Sequence, residues 1–306
     1  MRRAEAARYP LHLDYSHETL SLFRRFDWDL IKLNPRWSYL PEAFGNRYEP
    51  PKDQRFQREL HRVVHHAEDL ERIEPADPRH PSLVETLDAL ERVVSEVGDE
   101  VDVLHTVFSP LSVLGILAGG IGEPLLTMAK QDPERVDRAL EAVRETVVHH
   151  ARDALDRGAA GLFYAPTQWT SLDVCDVEAY TRFGRPHDLW VLDRVRDARF
   201  SALHVCGNHV EMERFLDYPV ELLSWDDRGA GNPSMSELAR RTDKALMAGV
   251  PHRRIHKLPP DALEAAVRGS VGGLDAGFVV AGGCAVGALL DDERMRAVRD
   301  LVEALG

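Results

Sequence analysis

The chain is poor in cysteine, in aromatic residues and in positive charge. Its 306 residues include only three cysteines, too few for a disulfide framework in a chain of this length, which favours a reducing, cytoplasmic setting. Lysine and arginine number 38 against 51 aspartates and glutamates, so the formal net charge is −13. We therefore expect neither nucleic acid nor an anionic membrane as a partner, because both require a positive protein surface.

Long apolar runs are also missing. The longest candidate, Leu111–Leu117, is interrupted by Ser112 and Gly115 and is far shorter than the roughly 20 residues of a membrane span. The first residues, MRRAEAARYPLHLDY, carry arginines with no apolar stretch behind them, so they do not resemble a secretory signal. With 44% hydrophobic and 29% charged residues, the composition predicts a well-cored soluble domain of enzyme size over residues 1–306.

Seven short apolar runs alternate with longer amphipathic stretches. These runs predict strands, since each is followed by Pro, Gly, Asn, Asp or a similar turn residue. They are Leu30–Leu33, Val101–Phe108, Gly161–Ala165, Ser201–Cys206, Leu222–Trp225, Ala245–Ala248 and Phe278–Ala281. Between them, Pro133–Arg157 has apolar residues at helical spacing behind an Asp132 N-cap, and Asp291–Leu305 predicts a terminal helix.

Strands separated by helices indicate a parallel sheet of the α/β class. We predict a (β/α)8 TIM barrel with an incomplete or irregular N-terminal strand, because Tyr9–Leu13 is the only weak candidate for an eighth strand. A doubly wound open sheet is the alternative. Polar or glycine-rich positions that follow the strands favour the barrel, whose functional rim they would line: Asn34, Ser109, Thr167, Asn208, Asp226, Asp227 and Cys284.

The segment SALHVCGNH carries the most specific chemical signal. Side chains two apart on a strand share a face, so His204 and Cys206 point the same way at the end of a predicted strand. Cys284, in VVAGGCAVG, ends the last predicted strand, and Gly282 and Gly283 allow close backbone approach there. One imidazole and two thiols suit tetrahedral zinc with one position open. The alternative is chance, because free buried cysteines are often small apolar fillers.

Several rim residues are candidates for supporting roles. Asp226 and Asp227 would supply a fourth ligand or orient His204, or else act as a helix cap. The loop after the first strand offers an arginine beside aromatics for an anionic or planar substrate group, or else a packed loop with Arg36 paired to Glu42. The substrate-contact candidates are Asn34, Arg36, Trp37, Tyr39, Tyr164 and Trp169.

Three further features favour structural roles. His61, His65 and His66 are predicted to lie on a solvated polar helix that lacks the glutamate of a zinc-binding HExxH motif. The glycines of residues 119–122 predict a turn, because no Lys-Ser or Lys-Thr follows them to complete a phosphate loop. Cys175 lies in a polar stretch and is expected to be incidental.

From about Trp28 to its end, the chain resembles the uroporphyrinogen decarboxylase superfamily, whose members are (β/α)8 barrels. The segments that carry the resemblance through their order and spacing are DWDLIKLNPRWSYLPEAFG, TVFSPLSVLGILAGG, GAAGLFYAPTQW, LHVCGN, LLSWDD, KALMAGV and VVAGGCAVG. Decarboxylases of this superfamily have an arginine-rich N-terminal PxWxMRQAGR element and a histidine in a late GHG turn. This chain lacks the first and has Gly283-Cys284-Ala285 at the second.

The other branch of the superfamily consists of zinc-dependent methyltransferases that pass a methyl group from a corrinoid protein to a thiol. Their zinc is held by an H-x-C pair and a late cysteine, which His204, Cys206 and Cys284 match one by one. Cobalamin-independent methionine synthase has a similar set, but its glutamate ligand has no counterpart here. The resemblance thus implies a zinc-dependent methyltransferase with a small thiol substrate and a corrinoid protein or other small methyl donor. The alternatives are a metal-free decarboxylase or lyase for a carboxylated substrate, and a non-catalytic module that docks a corrinoid carrier.

Overall fold

Seven parallel strands form the central sheet of the computed structural model, which describes residues 11–49, 57–274, 277–285 and 291–304. All seven strand predictions are confirmed, with ends that differ by at most two residues. The strands are β1 Ile31–Leu33, β4 Val103–Phe108, β5 Gly161–Thr167, β6 Ala202–Val205, β7 Leu222–Ser224, β8 Ala245–Val250 and β9 Phe278–Gly282. A separate antiparallel pair consists of β2 Arg47–Tyr48 and β3 Glu59–His61.

The order of the strands settles the choice between barrel and open sheet. They follow one another as β1-β4-β5-β6-β7-β8-β9, and every neighbouring pair is parallel. A doubly wound sheet reverses its order at a switch point, whereas this order runs in one direction, as in a barrel. The sheet curls into a half-barrel, an incomplete TIM barrel. All strand C-termini therefore lie at one end, which is the rim that the polar residues were predicted to share.

Eleven α-helices in the described ranges surround the sheet. They are α1 Leu11–Phe26, α2 Tyr39–Ala43, α3 Pro81–Val97, α4 Pro110–Leu117, α5 Glu123–Gln131, α6 Pro133–Asp156, α7 Val177–Phe183, α8 Arg185–Asp193, α9 Met235–Ala239, α10 Pro260–Val271 and α11 Asp292–Glu303. The predicted start of α6 is confirmed, since the Asp132 side chain accepts a hydrogen bond from the Arg135 N–H. No helix in these ranges is long and apolar enough to span a bilayer.

No eighth strand closes the barrel within the described ranges. The weak candidate Tyr9–Leu13 is helical where it is described, because α1 begins at Leu11, and its first two residues lie outside those ranges. Instead, α1 and α11, which adjoin the two edge strands in sequence, contact each other. Arg296 lies over the Phe26 ring, and Arg299, at the end of the chain, pairs with Asp29 at 3.1 Å.

The histidines of HRVVHHAED do not lie on a helix, so that prediction is wrong. His61 ends β3, and His65 and His66 precede a 3-10 helix, Ala67–Arg72. The Asp69 carboxylate accepts hydrogen bonds from the backbone N–H groups of His65 and His66. Those two N–H groups are thereby occupied in a tight cap, and a longer helix is not formed here.

Two apolar layers flank the sheet. Alternate strand residues face the barrel interior, where Leu104, Phe163, Ala202, Leu222 and Met247 form a buried cluster. Their neighbours in sequence face the helices and join the larger outer core. Full burial of each leucine or phenylalanine contributes roughly 1.5–3 kcal/mol. This alternation decides which residues reach the mouth of the barrel.

The outer core contains a buried carboxylate bound by three tyrosines. Asp188 on α8 accepts hydrogen bonds from Tyr164 at 2.8 Å, from Tyr180 at 2.6 Å and from Tyr218 at 3.2 Å. Burial raises the pKa of Asp188 to about 7, although the three hydroxyl groups act in the opposite direction. This cluster holds α8 against β5 and lies outside the barrel interior.

The raised pKa of Asp188 gives a prediction for stability against pH. A carboxyl group whose folded pKa lies above its unfolded value favours folding at low pH, and this contribution is lost as pH rises towards 7. Asp188→Asn removes the titration. We expect its free energy of unfolding, relative to the unsubstituted protein, to improve by about 3 kcal/mol between roughly pH 5 and pH 8. Urea denaturation at both pH values measures this, and a difference that does not change with pH would contradict it.

Candidate metal centre

Two of the predicted ligands come from adjacent positions on one strand face. His204 lies on β6 and Cys206 directly follows the strand, so the alternation of side chains turns both toward the barrel mouth. The Cys206 N–H donates to Thr170 Oγ1 at 3.1 Å, which fixes the backbone of the cysteine. Gly207 then turns the chain with φ of +104°, a conformation that favours glycine.

Cys284 reaches the same place from the far edge of the sheet. Its sulfur lies 3.6 Å from that of Cys206, although 78 residues separate the two in sequence. The ligand atoms of His204, Cys206 and Cys284 all lie within 4.8 Å of one another, and in the described ranges they form the one such group of three or more. The structure thus brings together the three residues that the sequence singled out.

Gly283 makes this approach possible. A Cβ atom at this position would lie 2.6 Å from the Asp226 Cα, closer than real Cβ atoms come to backbone. The chain after β9 therefore passes directly against the chain after β7. The absence of a side chain at Gly283 sets the position of the next residue, Cys284.

Two neighbours orient the His204 ring. Its Nδ1 lies 3.1 Å from Ser224 Oγ on the adjacent strand β7, and the ring stacks on Phe163 with centroids 5.1 Å apart. Nε2 is the ring nitrogen left for a ligand. A hydrogen bond to the second nitrogen is how proteins commonly fix a metal-binding imidazole.

The two sulfur atoms lie within hydrogen-bond distance of each other, and this contact changes the pKa of both thiols. The hydrogen bond from Cys206 lowers the pKa of the Cys284 thiol, and the His204 ring lowers it further. The same hydrogen bond, together with burial, raises the pKa of Cys206. The contacts therefore favour the thiolate form at Cys284 and the thiol form at Cys206.

This donor set fits a borderline-soft divalent cation such as zinc. Thiolate and imidazole are its usual ligands, and two sulfurs on one tetrahedral zinc lie about 3.8 Å apart at ordinary bond lengths. The observed separation of 3.6 Å is close to that value. Three protein donors leave a fourth position, which is the pattern of reactive rather than structural sites.

Lys32, which the sequence analysis did not single out, lies on the interior face of the sheet, as do His204 and Ser224. Its neighbours Ile31 and Leu33 are buried in the outer core, so Lys32 on β1 points to the barrel interior. The ammonium group lies 4.5 Å from the Phe163 ring centroid. Burial lowers the pKa of Lys32, while the sulfurs of Cys284 and Cys206 act in the opposite direction.

The two aspartates after β7 do not join the three ligands. Asp226 forms an ion pair with Arg253 at 3.2 Å and lies 3.8 Å from His252 Nδ1. Asp227 accepts from Ser270 at 2.8 Å, which ties β7 to α10. Neither carboxylate belongs to the ligand group, and Ser224 rather than an aspartate contacts His204 Nδ1.

The loop after β1 is largely engaged in its own packing. Arg36 bonds to Glu85 at 2.9 Å and pairs with Glu42, as the structural alternative predicts. Trp37 packs edge-on against Tyr48 with centroids 4.9 Å apart. Asn34 is exposed directly after β1, at the rim.

The remaining aromatic candidates lie in the outer core. Tyr39 is fully buried and donates to the carbonyl of Thr106 at 3.2 Å, and Tyr164 is equally buried against Asp188. Trp169 is fully buried and lies over Gly115. All three are packed in the outer core and have no exposed surface at the mouth; strand alternation explains only the position of Tyr164, since Tyr39 and Trp169 lie on short helices. Cys175 is also buried in that core, as expected for an incidental cysteine.

Comparisons with known proteins identify the family of the chain. The profile of the family described as Uroporphyrinogen decarboxylase (URO-D) matches residues 14–305, nearly the whole chain. The chain belongs to the uroporphyrinogen decarboxylase family. No curated protein sequence matches it closely enough to report.

Solved structures of other proteins share the fold of this uroporphyrinogen decarboxylase family member. A methyltransferase from Methanosarcina mazei matches with a TM-score of 0.80 and 19% identity, over 98% of this chain and 86% of that one. A B12-independent methionine synthase from Shewanella sp. W3-18-1 matches with a TM-score of 0.64 and 11% identity, over 96% and 86%. At these identities the likeness establishes the barrel architecture.

Sequence reasoning missed Ser224 and Lys32. Ser224 stands two residues before Asp226 on the LLSW run, so alternation alone places it on the interior face beside His204. Lys32 is a charged residue inside an apolar strand, IKL, which is itself an uncommon pattern. The sequence shows that Ser224 and Lys32 occupy these strand positions. Their proximity to the candidate ligands depends on which strands are neighbours in the sheet.

Proposed function

We propose that this family member is a zinc-dependent methyltransferase that moves a methyl group from a corrinoid protein or other small donor to a small thiol. The observation that carries the proposal is the convergence of one imidazole and two thiols from two distant strand ends within 4.8 Å. The fold shared with a methyltransferase and a methionine synthase supports the same class of reaction.

His204, Cys206 and Cys284 would hold the metal at the mouth of the barrel. Zinc in such a set lowers the pKa of a coordinated thiol and so provides a thiolate nucleophile at neutral pH. The reaction forms a sulfur–carbon bond, breaks the bond between the methyl group and its donor, and releases the thiol proton. Ser224 and Phe163 keep the His204 ring in place, and Gly283 keeps Cys284 within reach.

A metal-free decarboxylase remains the alternative activity within this family. The histidine expected in the late GHG turn is replaced by Cys284, and the arginine-rich N-terminal element is missing from the sequence. The sulfur pair then has no role in the chemistry. Activity on a carboxylated substrate that survives chelation would favour this alternative over methyl transfer.

Metal analysis tests the proposal directly. Protein purified without added chelator should contain about one zinc per chain, and Cys206→Ser and Cys284→Ser should each lose most of it, because two donors do not hold zinc tightly. Cys175→Ala is the matched control, since that buried cysteine lies outside the site and its variant should keep its zinc. Equal zinc in all four proteins, or none in the unsubstituted one, would refute the assignment.

A further inference from the structure

Lys32 places a positive charge inside the barrel that no described carboxylate neutralises. Its side chain faces the interior, where its close described contact is the Phe163 ring at 4.5 Å. Within the described ranges, no ion pair or hydrogen bond holds the ammonium group. Lys32 is half-buried, and a half-buried ammonium group without a partner costs stability that an anionic group from outside the chain would offset.

Lys32 interacts electrostatically with the sulfur pair. Cys284 and Cys206 are the groups whose electrostatic interaction favours its charged form. The Phe163 ring connects Lys32 to the candidate ligands, since it contacts the Lys32 ammonium group and stacks on the His204 ring. Lys32 is thus part of the environment of the candidate metal centre, although it is no ligand.

A second polar group in the same interior also lacks a protein partner. Thr106 lies on β4, next to β1, and is one step nearer the rim than Leu104, which pairs with Lys32. Its buried hydroxyl has no hydrogen-bond partner among the described residues. An unused cationic group and an unused hydroxyl on neighbouring strands indicate that this interior receives a polar or anionic group from outside the chain.

The net charge of the metal-loaded site indicates which step requires Lys32. A divalent cation held by two thiolates and a neutral imidazole has no net charge, so the loaded site needs no further positive charge to hold its metal. A third thiolate, from the acceptor, makes the site negative. We propose that Lys32 supplies the positive charge that stabilises the thiolate of the acceptor, so that it controls thiol binding and not metal uptake.

This inference rests on the proposed function and makes a separable prediction. Lys32→Met should keep its metal content but bind the acceptor thiol about 10- to 100-fold more weakly, because the attraction between the ammonium group and the acceptor thiolate is lost. Lys32→Arg keeps the charge and should stay within about threefold of the unsubstituted protein. Folding should not suffer in Lys32→Met, since the substitution removes a half-buried, unpaired charge from the barrel interior.

The experiment uses cobalt(II)-loaded protein titrated with 2-mercaptoethanol, a thiol with no second charged group. It measures the increase in sulfur-to-cobalt charge-transfer absorbance above the level that Cys206 and Cys284 give before thiol is added. Retained cobalt with weak thiol binding in Lys32→Met, recovered in Lys32→Arg, is the expected result. Unchanged thiol binding in Lys32→Met, equal weakening in both variants, or loss of cobalt from Lys32→Met would overturn the role of Lys32 while the proposed function stands. If the unsubstituted protein takes up no cobalt, or if its charge-transfer absorbance does not rise with added thiol, both the role of Lys32 and the proposed function are contradicted. Lys32→Gln gives the same comparison if Lys32→Met does not fold.

Discussion

Replacing Cys284 by alanine should slow thiol methylation by about 1000-fold at neutral pH. A free thiol with a pKa near 8.5 is only about 3% ionised at pH 7, so loss of activation alone costs about 30-fold. Loss of the position at which the sulfur is held beside the methyl donor accounts for the remainder. The rate of thiol-dependent loss of methylcobalamin absorbance, with methylcobalamin as the donor, measures the effect.

The pH profile of the Cys284→Ala variant distinguishes lost activation from general damage. Its residual rate should rise about tenfold per pH unit below roughly pH 8.5, because it then follows ionisation of the free thiol. The unsubstituted protein should show a flatter profile over the same range. Cys175→Ala again serves as the control for removal of a cysteine outside the site. A Cys284→Ala variant with the full rate, or with an unchanged profile, would show that Cys284 does not activate the thiol.

Gly283→Ala should remove most of the bound zinc without touching any ligand. The added Cβ would lie 2.6 Å from the Asp226 Cα, and backbone at that distance must move. Movement of the backbone at residue 283 also moves the next residue, Cys284. The Cys284 sulfur then shifts from its position 3.6 Å from the Cys206 sulfur. We expect metal affinity to fall at least about 100-fold, since displacement of one ligand leaves only two in place. Competition with a chromogenic chelator measures this affinity.

Gly269→Ala is a matched control for Gly283→Ala. Gly269 lies on α10, and a Cβ atom there meets nothing within 4 Å. This substitution should leave zinc affinity unchanged and add up to about 1 kcal/mol of stability, because alanine favours a helix over glycine. Full zinc affinity in Gly283→Ala would mean that the chain after β9 can move aside, and that the close approach to Asp226 does not position Cys284.

The substrate-contact candidates show where sequence reasoning stops. Tyr164 lies within a correctly predicted strand and Trp169 follows it, yet both side chains are buried in the outer core. A strand pattern gives alternation, but it does not tell which of the two faces is the barrel interior when both are apolar. The sequence offered Glu42 as a partner of Arg36, but the second partner, Glu85, lies 49 residues away on α3, so only the packing of that helix reveals it.

The sequence by itself determined the seven strands, their parallel class and the shared face of His204 and Cys206, because hydrophobic periodicity and side-chain alternation are local properties. Only the tertiary structure decided that Cys284 meets this pair, that Ser224 rather than Asp226 contacts the His204 ring, and that Lys32 interacts electrostatically with the sulfur atoms. These contacts join strands separated by 20 to 78 residues or more, and they depend on the order and curl of the sheet. No local pattern encodes that order, since it results from how all the helices pack around the barrel.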